Sequence, residues 1–347
     1  LLMQSNALLA DAQRLRRPAR EINALSESNV KIAALALQIH ELDQKPADAA
    51  TAAPLNAQIK DLAATRDIRT TYGSPLYRDF QPTEDSLIVE RVRRAGAIVI
   101  GKTNTPEFGL GAQSYNPVHG VTRNAYDPAL CAGGSSGGAA AALAARLLPV
   151  ADGSDMGGSL RNPAAYNNVF GFRPSAGRVP KYPVPEAFLE QLGVEGPMGR
   201  SVPDVARLLA TQAGPDLRAP LSRSDDPAVF ALPLEAPMRG LRVGWLGDLE
   251  GYLPFEPGIL ELCEQGLKAL ADIGCEVQAS SLGFAPQRLW EMWLTLRSCV
   301  VAGGRWDDYA DPARRALMKP EAVWEVERGR GASALDIYRA SKERTAW

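Results

Sequence analysis

Two glycine-rich clusters carry the serines best suited to covalent chemistry: Gly133-Gly134-Ser135-Ser136-Gly137-Gly138 and, close behind, Gly153-Ser154-Asp155-Met156-Gly157-Gly158-Ser159. Consecutive glycines ahead of a serine let several backbone N–H groups converge on one point, which is what an oxyanion forming on a carbonyl requires. A lone G-G-S is usually a tight turn between a strand and a helix; two such clusters in close succession point to chemistry. Three familiar alternatives fail on particular residues. A phosphate-binding loop ends in Lys and then Ser or Thr, whereas Ala139 and Ala140 stand there. Gly134, Ser136 and Gly138 fit the G-x-S-x-G elbow, whose histidine follows the serine in the chain, but His40 and His119 both precede Ser136. Ser28 and Lys31 fit S-x-x-K without a downstream S-D-N, which leaves a helix surface as the preferred reading.

With two histidines and no H-E-x-x-H, the chain has too few imidazoles for most catalytic metal sites. A serine can instead be activated by a lysine whose pKa burial has lowered, because only the neutral amine takes a proton. Lys60, flanked by Ile59, is the first candidate base, and Lys102, directly after the apolar run AIVI, the second.

The elements that must position these residues read as a layered α/β pattern. Residues 86–94 (SLIVERVRR) predict a helix and 97–100 (AIVI) a short buried strand, with Gly96 between them as a helix stop. Residues 139–147 predict a small-residue helix that packs tightly on a sheet, and 169–172 another strand. Residues 201–212 open on a Ser cap followed by Val, Pro and Asp, a helix start. A buried strand over 241–246, a helix over 258–274, a strand over 276–279 and a mostly helical stretch after Pro286 complete the pattern. Apolar spacing at Ile32, Leu35, Leu37 and Ile39 makes residues 1–50 an N-terminal helical segment, and 47–54 (ADAATAAP) a linker.

Composition excludes several classes. The 38 basic and 40 acidic residues leave a net charge of −2, against a nucleic-acid binder relying on a basic surface. Hydrophobic residues at 46% and charged residues at 22% exclude wholesale disorder. Four cysteines without C-x-x-C read as reduced thiols of a cytoplasmic protein. No apolar run reaches membrane-spanning length.

Taken together these residues resemble the amidase signature family, serine amidohydrolases with a Lys–Ser–Ser triad. The resemblance is dense from Lys60 to Pro180: KDLAAT, TTYGSPLYRDF, GAIVIGKTNTPEFG, NPVHGVTRNAYDP, AGGSSGG, GSDMGGSLRNPAAYNNVFGFRP and GRVP. It implies an α/β fold in which helices cover both faces of a mixed β-sheet, residues 51–347 forming one domain shortened at its carboxy-terminal end. It implies Ser159 as nucleophile, Ser135 as the middle serine in a cis peptide and Lys60 as base. The N–H groups of Met156, Gly157, Gly158 and Ser159 would form the oxyanion hole, with Ser136 supporting the relay. Asp155 and Arg161 would pair to brace the turn. The implied reaction is hydrolysis of a carboxamide C–N bond through an acyl-enzyme, with a small-molecule amide as substrate and without cofactor, metal, nucleic acid or membrane; the assembly to test is a homodimer. A glutamine-dependent amidotransferase A-type subunit ranks second, because 173–180 (RPSAGRVP) departs from its pattern. A non-catalytic, shortened member ranks third: the approach to Lys60 lacks the family's second Gly and the Pro after it, and the chain ends abruptly at Trp347. Residues 183–192 and 290–306, with aromatic Tyr182, Phe188, Trp290 and Trp293, are the expected pocket walls.

Overall fold

The computed structural model describes residues 56–231 and 233–347. The helical segment expected over 1–50 and the 47–54 linker lie outside the described residues. The chain divides into two compact units that part after Ala231.

In the first unit, β1 (Asn56–Lys60), α1 (Leu87–Arg94) and β2 (Ile98–Thr103) are followed by a small hairpin of β3 (Tyr115–Asn116) and β4 (Gly120–Val121). Then come α2 (Gly137–Ala144), β5 (Val150–Asp155), α3 (Arg161–Tyr166), β6 (Phe170–Gly171), β7 (Val194–Gly199) and α4 (Val202–Gln212). Five strands form one mixed sheet in the order β2-β1-β5-β7-β6, with β1 parallel to β2 and β5, and β7 antiparallel to β5 and β6. Strand alternation sends side chains to opposite faces. Ala57, Ile59 and Val150 meet Ile88, Val89 and Val92 of α1 and Leu208 and Leu209 of α4 on one face. Ala151 and Met198 meet Ala139, Ala140 and Leu143 of α2 and Ala164 of α3 on the other. Helices thus cover both faces of a mixed sheet, as the sequence implies.

The 97–100 run forms its strand but is not buried: β2 is an edge strand among the described residues, with Ile98 51% and Ile100 41% exposed. The small-residue helix starts two residues earlier than expected and stops at Ala144, where Arg146 turns to φ 58°. Its glycines are needed for contact. A Cβ on Gly138 would sit 2.7 Å from the Asn104 carbonyl oxygen, and the Gly138 N–H already donates to that oxygen at 3.3 Å. Helix α2 therefore lies directly on backbone, which fixes the two serines ahead of it.

The second unit holds β8 (Arg242–Trp245), α5 (Ile259–Asp272), β9 (Glu276–Ala279), α6 (Pro286–Ala310), α7 (Pro312–Arg315), α8 (Pro320–Arg330) and α9 (Ala334–Ala346). Strands β8 and β9 pair in parallel as a two-stranded sheet. The strand expected over 241–246 is present but alternates between exposed and half-buried rather than lying in a core. Helices α6 and α8 pack closely, tied by Arg297 Nε donating to Glu325 Oε1 at 2.5 Å.

Gly138→Ala tests the α2 contact. The added methyl meets backbone atoms that cannot rotate away, so urea denaturation should show a loss of about 1–3 kcal/mol despite Ala's better helix propensity.

Candidate active site

Lys60 ends β1, next to the centre of a sheet covered on both faces, and is 1% exposed although its strand neighbour Ile59 faces the opposite core. Its backbone N–H donates to Asp152 Oδ1 at 2.6 Å. Its Nζ stands 2.7 Å from Ser135 Oγ, 2.9 Å from Ser136 Oγ and 3.0 Å from Ser154 Oγ. An ammonium donates to all three hydroxyls. A neutral amine has two protons and one lone pair, so deprotonation requires just one of those hydroxyls to turn and donate. Burial draws the Lys60 pKa down to about 7, against the charges of Asp152, Asp155 and Glu195 that raise it. The shortened approach therefore does not keep Lys60 from Ser135.

Ser135 follows a cis peptide after Gly134 and is buried. Its carbonyl accepts from Ser114 Oγ at 3.3 Å, and the same Oγ accepts from the Gly137 N–H at 3.0 Å. Ser136 N–H donates to the Ser159 carbonyl at 3.2 Å, bringing the two glycine clusters together. Ser159 itself is half-buried on the turn after β5. Asp155 organises that turn. Its carboxylate accepts from the Gly158 N–H at 2.8 Å and the Leu160 N–H at 3.1 Å, on either side of Ser159. Arg161 adds two bonds of 3.0 Å, and Arg173 lies 3.3 Å away. Burial pushes the Asp155 pKa up, but these bonds outweigh it and the net shift is downward.

One sequence expectation changes here, and the ranking of the two lysines agrees with the geometry. Gly158, expected among the oxyanion donors, gives its N–H to Asp155: at φ +115° it turns that group inward to the buried carboxylate. Among the described residues, Gly157 and Ser159 donate their N–H groups to no protein acceptor. Lys102, the second candidate base, turns away from the serines; its Nζ bonds the Ala63 carbonyl and Thr65 Oγ1. Burial lowers its pKa as well, to about 8.

The sequence did not single out Ser154 as a third hydroxyl, Asp152 as the anchor of Lys60 or Arg173 as a second cation on Asp155. Their roles depend on strand register, and the alternation of Asp152 and Ser154 along β5 was the available sign. Asp61, next to Lys60, accepts from the Thr71 N–H and Oγ1, with His119 Nε2 3.5 Å away. That cluster fixes the chain as it leaves β1.

A cavity of about 340 Å³ opens among Val179, Lys181, Val184, Glu190, Gly193 and Leu221. A Cβ on Gly193 would be 3.6 Å from the Met156 methyl, so its wall reaches the Ser159 turn. Residues 183–192 thus contribute to a pocket. Tyr182 and Phe188 do not line it: Tyr182 packs under the Arg218 guanidinium and Phe188 is exposed. Trp290 and Trp293 belong to the second unit, where they stack at 5.2 Å. Among the described residues no cluster of His, Cys, Asp or Glu is arranged to hold a metal, and no helix is long and apolar enough to cross a membrane.

Because the folded-state pKa of Asp155 lies below its ordinary 3.8, its stabilisation is fully present above that value and is lost as pH falls through the folded one. Asp155→Asn should therefore cost on the order of 2 kcal/mol in urea denaturation at pH 7 and less at pH 3.

The family described as Amidase matches residues 11–335. The A-type subunit of the Thermus thermophilus glutamyl-tRNA(Gln) amidotransferase is 42% identical over 239 residues, 68% of this chain and 50% of that protein. The chain spans about half the length of the curated relatives it matches. A bacterial aryl acylamidase of the amidase signature enzymes superposes with a TM-score of 0.77 at 27% identity, over 99% of this chain and 72% of that one. The corresponding glutamyl-tRNA(Gln) amidotransferase structure from Thermotoga maritima gives 0.67 at 26%, over 84% and 63%. With a family match over most of its length and a fold like that of these enzymes, the chain belongs to the Amidase family.

Proposed function

We propose that this chain cleaves a carboxamide C–N bond with Ser159 as nucleophile, Ser135 as proton relay and Lys60 as base. The observation that carries this reading is the 2.7 Å contact between Lys60 Nζ and Ser135 Oγ at a lysine held near pKa 7. Ser159 Oγ attacks the amide carbon; its proton passes to Ser135, whose own proton passes to neutral Lys60. The carbonyl oxygen gains charge against the N–H groups of Gly157 and Ser159. The intermediate then expels the amine, which takes the proton back through Ser135, and water hydrolyses the Ser159 ester by the same relay in reverse. Asp155 and Arg161 hold the turn in shape, and Ser136 and Ser154 keep the amine bonded whichever hydroxyl turns.

A second reading concerns the fate of the nitrogen. Relatives at 36–42% identity that are A-type amidotransferase subunits favour a glutamine amide as substrate, with the ammonia passed on within an assembly. That similarity raises this reading above the rank set by residues 173–180. The same relay serves both, so substrate and partner tell them apart. Ammonia release from glutamine that strengthens with a co-purified partner supports the second; turnover of an aryl or acyl carboxamide by the chain alone supports the first.

A serine-reactive fluorophosphonate tests the shared chemistry. Mass spectrometry should locate the adduct on Ser159, and Lys60→Ala and Ser135→Ala should abolish it while circular dichroism stays native. Since the amine is neutral above about pH 7, labelling should rise with pH through that point and be about tenfold slower at pH 6 than on the plateau. A folded chain with no adduct on Ser159 sinks the proposal.

A further inference from the structure

The cavity of about 340 Å³ meets the turn that carries Ser159 at two points. Val194 of its wall pairs with Asp155 in the antiparallel register of β5 and β7, and Asp155 is the carboxylate that holds this turn. Gly193 stands between the cavity and Met156: a Cβ there would be 3.1 Å from Glu190 Oε1, 3.5 Å from Lys181 Nζ and 3.6 Å from the Met156 methyl. Three side-chain ends thus converge on a residue that has no side chain of its own. Gly193 lies outside the left-handed region that demands glycine, so the missing side chain serves the space among those ends rather than the path of the backbone.

The wall decides what the cavity can hold. Val179, Val184, Val194, Ala219, Pro220 and Leu221 give it an apolar surface. Each polar side chain on it already has a partner within the protein. Lys181 is paired with Glu190, which also accepts the Gly193 N–H at 2.9 Å. Glu186 accepts the N–H groups of Phe188, Leu189 and Glu190. Gln191 Nε2 donates to the Phe188 carbonyl at 2.9 Å, and Ser222 Oγ donates to the Asp216 carbonyl at 3.1 Å. Arg223 Nε donates to Asp225 at 2.6 Å. A site that recognises a charged ligand keeps a few convergent polar groups for it; here those groups are spent on one another.

We propose that this cavity receives the substituent of the carboxamide as a neutral, apolar group of aryl or branched-alkyl size, with Gly193 as the specificity-determining opening beside Met156. This rests on the amide-cleaving reading of the site. The volume lies near the lower end of small-molecule sites, about 300 Å³, so it suits one ring or a branched chain rather than a long acyl tail. An apolar group gains by leaving water for the valine, proline and leucine wall. A charged one exchanges its hydration for groups that are already paired, and loses by entering. The ammonium and carboxylate of free glutamine fall in that disfavoured class.

The test compares three fluorophosphonates with identical reactive heads and different arms: ethyl, phenylpropyl and carboxypropyl. Labelling rates at Ser159 are read by mass spectrometry in the wild type, Gly193→Val, which closes the opening, and Val184→Trp, which fills the cavity from its far wall. In the wild type the phenylpropyl arm should label about tenfold faster than the ethyl arm, and the carboxypropyl arm no faster than ethyl. In both variants the phenylpropyl-to-ethyl ratio should fall toward one; a ratio taken within one protein cancels any loss of folded fraction. A wild-type ratio near one, a carboxypropyl arm as fast as the phenylpropyl arm, or a high ratio that survives in either variant overturns the proposal. A wild type labelled by none of the three overturns the underlying reading instead. The cavity is then decided by 19F NMR of 4-(trifluoromethyl)benzamide, whose signal should broaden with the wild type and not with Val184→Trp; no broadening with the wild type overturns the proposal.

Discussion

The site depends on one buried amine. A lysine at this depth carries a desolvation cost whenever it is charged, and its neighbours must bond it in either state. Three hydroxyls meet that requirement because each can donate or accept. Ser135, Ser136 and Ser154 arrive from two different elements, and the alignment of those elements is what the rest of the first unit secures. Helix α2 sits on the Asn104 backbone; β5 is flanked by β1 and β7; Asp152 ties the Lys60 backbone to β5 from within the sheet. Loosening any of these would leave an amine with an unpaired proton or an unpaired hydroxyl.

The Asp155 turn solves a different problem. The oxyanion role proposed for this turn needs N–H groups that no protein acceptor takes up, yet a glycine turn left to itself has many conformations. Asp155 takes the N–H of Gly158 and of Leu160, holding the turn on both sides of Ser159 while leaving Gly157 and Ser159 unengaged. The Arg161 guanidinium and the Gly158 and Leu160 N–H groups hold its pKa down in a place where burial alone would raise it. One buried charge thereby orders the loop while leaving part of its backbone unengaged.

Much of this was legible in the sequence because its signals are local. Ser135, Ser136 and Ser159 stand out by the glycines around them, and the Asp155–Arg161 pair by its short separation across a turn. Lys60 was legible as an inward-facing lysine beside Ile59, although the two residues serve opposite faces of the sheet. What escaped notice depends on register. Ser154 and Glu195 stand opposite only because β5 and β7 pair in one particular alignment, and no local pattern encodes which residues of two distant segments will do so. The same limit explains β2: an apolar run predicts a strand, while its edge position follows from sheet order, which periodicity does not carry.

Register also brings several acidic groups close to the buried lysine. Asp61, Asp152, Asp155 and Glu195 all lie close in the fold, and an uncommitted carboxylate beside Lys60 would favour the ammonium strongly. Asp61 is bound by Thr71 and faced by His119, Asp152 is bonded to backbone, and Asp155 to two guanidiniums. Each of these charges is held by its own donors, and Asp152 and Asp155 still raise the Lys60 pKa against the larger effect of burial.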